Sequence, residues 1–490
     1  MRLSDLTEGG GIAAQETVPD IDITGLTADS RNVLPGFLFA ALPGAKTNGY
    51  AFINEAIARG AVAVLAPSTV DARDIDHRIA LVTDSAPRRR LALFAARFHR
   101  GQPDTVAAVT GTNGKTSVTH FAYQIWQQLG HRSAALGTLG IIAPGREPSA
   151  GLTTPDPVLL HQCLAELKQD GVNHLAIEAS SHGLDQRRLD GVHISAAAFT
   201  NLSRDHLDYH GTMDAYLDSK LRLFSELLRD GGAAIVDADS EHYETIAAIV
   251  RDRGLHLLTY GRERGDIRCT QAVSKGDNCS LNIKVFSTKY KIDFALPGAY
   301  QIDNALCAIA LTIACGAAPH IVVPMLARLT GVPGRMQVAG RRRNGAAVIV
   351  DYAHTPDALA SALQAARAYG ANRLVVVFGC GGDRDPEKRV EMGAAAEQFA
   401  DYIIVTDDNP RSENPAAIRA QAIEGCPDAI EIGDRGEAIH AGVAMLEDGD
   451  LLLVAGKGHE QGQTIGGKSF PFDDVIVSRA AIATQDGAAA

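Results

Sequence analysis

The sequence predicts an α/β protein of three domains, and three observations carry that expectation. The chain has 490 residues, 46% hydrophobic and 21% charged, a globular composition long enough for about three separate cores. Short apolar runs alternate with helical patterns along its length, the signature of sheets covered by helices. Two breaks, Gly101-Gln102-Pro103 and Val332-Pro333-Gly334, read as hinges. They divide the chain into residues 1–103, 104–333 and 334–490.

The first block holds apolar runs at 37–42, 61–66 and 79–83, with helical patterns at 51–59 and 88–99, as expected of a small α/β domain. The second opens with a buried-strand run at 105–109. A glycine-rich turn follows, then a helix over 115–129 that stops at Gly130, a residue suited to the left-handed position past a helix end. A further strand is expected at 174–179. The third block alternates most regularly. Strands are expected at 347–352, 373–378, 402–406 and 451–455, and helices at 356–369, 389–400 and 415–424. Such alternation implies a parallel, Rossmann-like sheet whose ligands sit beyond the carboxyl ends of the strands. Polar clusters follow three of those strands, at 379–384, 407–411 and 456–460.

Whole-chain properties exclude several classes of function. A formal net charge of −12 disfavours non-specific binding to nucleic acid or an anionic membrane. No run of apolar residues is long enough to cross a bilayer, and the first residues show no signal-peptide pattern. The seven cysteines (163, 269, 279, 307, 315, 380 and 426) form no CxxC pair, so neither a disulfide framework nor a zinc site is expected. A cytoplasmic location, no membrane partner and a monomer are the expectations. Cys380 lies among glycines, where packing explains it better than catalysis does. The Ala-rich tail from Ala488 looks frayed.

The strand at 105–109 runs into Thr110-Gly111-Thr112-Asn113-Gly114-Lys115-Thr116-Ser117 and then a helix. Glycines let backbone N–H groups approach phosphate oxygens, and the helix N-terminus adds favourable partial charge. Lys115 can reach the β- and γ-phosphates, and the Thr116 hydroxyl suits Mg²⁺. The general phosphate-loop pattern places glycine at position 109, where this chain has Val109, so the loop is the shorter GTNGKT form. An ordinary strand-to-helix turn would not need lysine and threonine directly after the glycines.

Further stretches then narrow the reading. DSRNVLPGFLFAAL (29–42), GTNGKT (111–116), TTPD (153–156), EASSHGLDQRRL (178–189), NLSRDHLDYHGT (201–212), YLDSKLRLF (216–224), GRMQ (334–337), VDYAHTPD (350–357), GCGGDRD (379–385), DNPR (408–411) and AGKGHE (455–460) follow one another in order. On these motifs the chain resembles the Mur ligases over nearly its full length. The resemblance is strongest to members that add the third peptide residue of the cell-wall precursor. It implies a nucleotide-sugar-binding first domain, a central P-loop ATPase and a C-terminal amino-acid-binding domain. The implied reaction is ATP-dependent attachment of meso-diaminopimelate to UDP-N-acetylmuramoyl-L-alanyl-D-glutamate, with Mg²⁺.

Amide formation from a free carboxylate needs an activated acyl group, which phosphorylation by ATP provides without a protein nucleophile. Ser180, Ser181 and His182 are therefore not read as a hydrolase dyad. Glu178 ends an apolar strand and points a hard oxygen donor at the strand's carboxyl end; an ion-paired structural role is the alternative. By the resemblance, Thr116, Glu178, His206 and Lys220 are the metal-binding residues. His210 and Asp208 stay structural. Read locally, Lys220 is a solvated helix lysine; the resemblance implies that it is carbamylated (N6-carboxylysine), which turns a cation into an anionic ligand and requires a neutral amine.

The resemblance places nucleotide contacts at Gly111, Thr112, Asn113, Gly114, Lys115, Thr116, Asn304, Arg335, Asp351 and His354. Arg335, at the second hinge, could couple closure to ATP binding. The UDP-sugar-peptide is assigned to Ser30, Thr153, Thr154, Ser180, Gln186 and Arg188; Arg187 carries equal charge, and only the family register prefers Arg188. The first-domain loop 44–49 departs from the commoner acidic-Gly form at Asn48 and is left without assigned contacts. The amino acid is assigned to Arg384, Asp408, Asn409, Pro410, Arg411, Gly456 and Glu460. Pro410 stiffens its loop, Arg411 forks onto the distal carboxylate and Glu460 takes the distal ammonium.

Three alternatives remain at this stage: the same ligation with L-lysine, or a folylpolyglutamate synthase; a P-loop ATPase spending ATP on conformational change; and a non-catalytic nucleotide-sugar module. Folate enzymes share GTNGKT but lack the DSR-type first domain and DNPR. A mere binding module does not explain Lys115, Glu178 and Lys220 together.

Overall fold

The computed structural model describes residues 1–8, 21–44, 47–71, 73, 75–146, 152–275, 278–296 and 298–487. Ala45 and Lys46 of the first-domain loop, Pro297 and the tail from Ala488 lie outside the described residues. The chain divides into two compact units, one made of Met1–Ala108, His131–Ser195 and Ser219–Gly232, the other of Val109–Gly130, Ala196–Asp218 and Ala233–Ala490.

In the first unit a parallel sheet runs in the order Gly25–Thr27, Phe37–Ala40, Ala63–Pro67, Ala80–Asp84. Leu38, Ala40, Leu65 and Val82 on one face pack with Leu91, Phe94 and Ala95 of the helix Pro87–His99. That helix begins with proline at its first turn, where the missing N–H costs nothing. The strand Ser133–Gly137 pairs in parallel with His174–Glu178 and antiparallel with Gly140–Ile142. The run expected at 174–179 is thus a strand ending on Glu178.

In the second unit the C-terminal sheet has the spatial order Gln337–Arg341, Ala347–Asp351, Leu451–Ala455, Leu374–Phe378, Tyr402–Val405, Ile430–Glu431. Its central strands are buried along their whole length, as a sheet covered on both faces requires. The helices Pro356–Ala368, Lys388–Phe399 and Pro415–Ile423 fall where the alternation predicts them. The sheet is not wholly parallel: Gln337–Arg341 pairs antiparallel with Ala347–Asp351 at the edge. Three more strands, Ile267–Lys275, Asn278–Val285 and Thr288–Phe294, form an antiparallel meander. A fully buried pair, Arg435 Nε to Asp474 Oδ1 at 2.7 Å, ties the last helix, Asp474–Gln485, to the sheet. The Arg435 guanidinium also donates to Ala455 O at 2.9 Å. Among the described residues no helix is long and apolar enough to cross a membrane, and all seven cysteines are free thiols. Burial pushes the Cys380 thiol up to about 12, so it stays protonated and unreactive.

Candidate active site

The glycine-rich turn is built as its sequence implies. The strand Thr105–Thr110 ends, Gly111 takes φ 142°, and Gly114 takes φ 87° as the N-cap of the helix Lys115–Gln128. Glycine is obligatory at both positions. A Cβ on Gly111 would lie 1.9 Å from Thr200 Oγ1, and one on Gly114 would lie 2.4 Å from Asn304 Oδ1. The segment after the strand Ile194–Phe199 holds the loop in shape. Asn201 O accepts from Thr112 N at 2.9 Å, Asn201 Oδ1 accepts from Asn113 N at 2.9 Å, and Thr200 Oγ1 donates to Asn113 O at 2.6 Å. Lys115 Nζ folds back on its own loop, donating to Gly111 O at 3.0 Å and Thr112 O at 2.8 Å.

Arg335 meets this loop from the other side of the chain. It donates to Thr116 Oγ1 at 3.1 Å, and its guanidinium stacks 4.4 Å over the Tyr352 ring and lies 3.4 Å from His459 Nδ1. Asp351 behaves differently. It is buried, and its two oxygens accept from Met336 N at 2.7 Å and Ala353 N at 2.8 Å, so in this structure it organises the hinge backbone. Burial raises its pKa. His354 Nδ1 lies 2.8 Å from Tyr352 O, and its Nε2 lies 3.7 Å from Asp205 Oδ2. Asp205 also has His206 Nε2 at 3.4 Å and Lys388 Nζ at 4.0 Å. Although burial works to raise it, the neighbouring His354, His206 and Lys388 hold the Asp205 carboxyl well below the usual range. His206 itself adopts φ 55°, a strained conformation for a non-glycine residue.

In the first unit Glu178 is buried, and Thr138 binds both its oxygens, through its N–H at 2.8 Å and its hydroxyl at 3.0 Å. Thr154 donates to Glu178 O at 2.8 Å, and Ser180 donates to Thr154 Oγ1 at 3.0 Å. The Ser180 hydroxyl also caps the short helix Ser181–Asp185 by accepting from Gly183 N, which leaves it no role as a nucleophile. Arg188 joins this group, donating to Thr154 O at 2.6 Å and Gln186 Oε1 at 2.7 Å. Arg187, in contrast, pairs with Glu226. Thr153 Oγ1 lies 3.2 Å from Thr138 Oγ1. Ser30 donates to Glu55 Oε2 at 3.1 Å. Lys220 is 1% exposed, so the solvated helix lysine that its local sequence suggests is not what the fold builds.

A second polar cluster lies beyond the carboxyl ends of the C-terminal strands. Asn409 Nδ2 donates to Glu460 Oε2 at 2.9 Å, and a Cβ on Gly456 would lie 2.5 Å from Asp408 Oδ2. Arg411, at φ 52°, donates to Gly382 O at 2.6 Å. Arg384 is exposed and donates to Asp383 O at 3.3 Å, although its stem and the Arg411 guanidinium both flank Gly381. Pro410 is buried between them in sequence.

Comparison with known proteins explains this combination. Three family signatures match in sequence order: "Mur ligase family, catalytic domain" at residues 22–99, "Mur ligase middle domain" at 109–312 and "Mur ligase, glutamate ligase domain" at 334–458. The UDP-N-acetylmuramoyl-L-alanyl-D-glutamate--2,6-diaminopimelate ligase of Bradyrhizobium diazoefficiens is 49% identical over 490 residues, covering 99% of this chain and 100% of that protein. The chain belongs to the Mur ligase family. A solved structure of a UDP-N-acetylmuramoyl-L-alanyl-D-glutamate--2,6-diaminopimelate ligase is 33% identical to this Mur ligase, with a TM-score of 0.70 and 99% of each chain covered. The MurF ligase of Thermotoga maritima, solved in complex with ADP, shares the fold at 18% identity and a TM-score of 0.64, covering 94% of this chain and 98% of that one. The Mur ligase architecture of three α/β domains is therefore the architecture of this chain.

Reasoning from sequence missed three contributors to the Mur ligase site. Thr200 and Asn201 shape the phosphate loop, and Lys457 is enclosed within the cluster around Asn409 and Glu460. The motif strings 201–212 and 455–460 contain Asn201 and Lys457, and Thr200 directly precedes the first, but spacing alone does not say which members face inward. Among the described residues no three His, Cys, Asp or Glu side chains group as a metal site.

Proposed function

We propose that this Mur ligase joins meso-2,6-diaminopimelate to the D-glutamyl carboxylate of UDP-N-acetylmuramoyl-L-alanyl-D-glutamate, using ATP. The observation that carries this reading is the full-length likeness to a relative named for that reaction. The two polar clusters support it, one a phosphate loop and the other an arginine beside a carboxylate and an amide. In the reaction the carboxylate oxygen attacks the γ-phosphorus and ADP leaves. The amino group of diaminopimelate then attacks the acyl phosphate, and inorganic phosphate leaves with a proton lost from nitrogen.

The loop glycines, the helix N-terminus and Lys115 receive the nucleotide phosphates. Lys115 exchanges its two loop carbonyls for phosphate oxygens, which a cation prefers. Asn304 lines the loop at Gly114, and Arg335 and His354 complete the nucleotide's surroundings. Thr154, Ser180, Gln186 and Arg188 bind the UDP-sugar peptide together with Thr153 and Ser30. Arg411 pairs with the distal carboxylate of diaminopimelate, and Glu460 and Asn409 take its distal ammonium and remaining polar edges, with Arg384, Asp408, Pro410 and Gly456 shaping the pocket.

Mg²⁺ would suit hard oxygens and one imidazole; in the second unit Thr116 and His206 would offer such donors and, taken separately, Glu178 and a carbamylated Lys220 would do so in the first. The deep burial of Lys220 favours the neutral amine that carbamate formation requires. When bound, the ion offsets the negative charge on the transferring phosphoryl group. The domains are read as 1–103, 104–333 and 334–490, and the enzyme as a cytoplasmic monomer. The test is to incubate the pure protein with ATP, Mg²⁺, the UDP-dipeptide and a mixture of amino acids and to weigh the product. A product heavier by one diaminopimelate residue is expected; ATP turnover with no adduct would assign the chain to the hydrolases instead.

A further inference from the structure

Lys457 has no part in the chemistry above, yet its side chain is 0% exposed. A buried ammonium is costly unless its hydrogen bonds are satisfied. Here Nζ donates to Asn409 Oδ1 at 3.1 Å and to Glu460 Oε2 at 3.0 Å. Asn409 Nδ2 donates to the same Glu460 oxygen, and Thr464 N donates to Asn409 Oδ1 at 2.9 Å. The three side chains close a triangle. Within it the Asn409 amide has one orientation, because a flip would set its NH₂ against an ammonium and a backbone N–H. Glu460 Oε2 accepts two donors, while Oε1 makes no hydrogen bond among the described residues and the side chain is 33% exposed. The carboxylate is thus held by one oxygen and presents the other outward.

We propose that Lys457 is a positioning and specificity-determining residue for the amino-acid substrate. It orients Asn409 and Glu460 and, by its charge, keeps the pocket receptive to a ligand whose far end carries a carboxylate as well as an ammonium. The proposal rests on the reading that Asn409, Arg411 and Glu460 bind diaminopimelate. The charge argument is direct. The distal end of diaminopimelate is a zwitterion of net charge zero, whereas that of L-lysine is a lone cation. Without the Lys457 charge, the cluster around Asp408 and Glu460 loses one positive charge and keeps the buried Arg435 as a neighbouring cation. The balance then moves toward the cationic ligand and away from the one bearing a carboxylate.

The experiment is steady-state kinetics on full-length Lys457→Met, with KM measured separately for diaminopimelate, ATP and the UDP-dipeptide. Product ratios are also taken from equal concentrations of diaminopimelate and L-lysine. The KM for diaminopimelate should rise on the order of tenfold or more, that for ATP should stay within about twofold, and the lysine product's share should increase. In a Glu460→Gln background the same substitution should have a much smaller effect, because the two residues act through one contact. An equal rise in all three KM values, or unchanged selectivity in a protein that still binds ADP, overturns the proposal. If Lys457→Met does not fold, Lys457→Gln is judged by the same criteria. Arg411→Ala is run alongside. If it leaves the diaminopimelate KM unchanged, the pocket reading fails and takes this proposal with it; if it raises that KM while Lys457→Met does not, this proposal alone fails.

Discussion

Replacing Arg411 by alanine isolates the contact that separates diaminopimelate from lysine. The guanidinium is half-buried and preset by its bond to Gly382 O at 2.6 Å, so little side-chain order remains to be imposed when a carboxylate arrives. The positive φ of 52° already strains a residue with a Cβ, so alanine adds no backbone penalty. Backbone bonds from Arg411 N to Thr464 O, at 3.0 Å, and from Gly466 N to Arg411 O, at 2.7 Å, survive the change and keep the loop in place. What is lost is the charged partner of a desolvated carboxylate, which costs about 2–5 kcal/mol when one side is truncated. A value near the lower-middle of that range, about 3 kcal/mol, corresponds to roughly a hundredfold fall in kcat/KM for diaminopimelate. Lysine has no carboxylate there, and its kcat/KM should move by about 1 kcal/mol or less, the scale of an exposed charge change. The assay is initial-rate ligation with each amino acid at saturating ATP and UDP-dipeptide. An equal loss for both amino acids would refute the assignment of Arg411 to the distal carboxylate, as would equal use of both by the unmutated enzyme.

Lys115→Ala should abolish ligation while leaving the far-ultraviolet circular dichroism spectrum unchanged, since the loop carbonyls that Nζ bonds can be satisfied by water; near-normal turnover by the folded variant would remove the phosphate-loop reading. Lys220→Ala and Lys220→Arg should both be nearly inactive, because neither can form a carbamate. Electron density for an unmodified Lys220 in an active, metal-loaded crystal would contradict that role. His161 is buried with Nε2 2.9 Å from Asp190 O, and burial pushes its pKa down to about 4. Its folded value lies below its unfolded value of about 6.5, so its contribution to stability is complete above pH 6.5 and is lost as pH falls toward 4. The full difference is about 3 kcal/mol. His161→Gln should flatten part of the fall in Tm between pH 7 and pH 4, with His120 and His174, both also pushed down to about 4, still titrating. An unaltered slope would show that His161 does not contribute.

The sequence by itself determined what depends on local pattern. Apolar runs such as 374–378 and 451–455 are strands because a residue buried on both faces must be apolar at every position. Gly111 and Gly114 announce a turn that no side chain fits, and Gly130, at φ 83°, ends its helix as its position implies. The order of the motifs was enough to point to the family. Long-range packing decided the rest. The antiparallel edge strand Gln337–Arg341 and the meander through Phe294 mix polar and apolar residues, so only their partners make them strands. Arg187 and Arg188 are equivalent in sequence; the turn sends one to Glu226 and the other to Thr154. Lys220 reads locally as a solvated helix lysine, and Lys457 stands between two glycines that say nothing of its surroundings. Both are buried, and a linear pattern carries no record of the neighbours that bury them; for Lys457 one such neighbour is Asn409, 48 residues away in sequence.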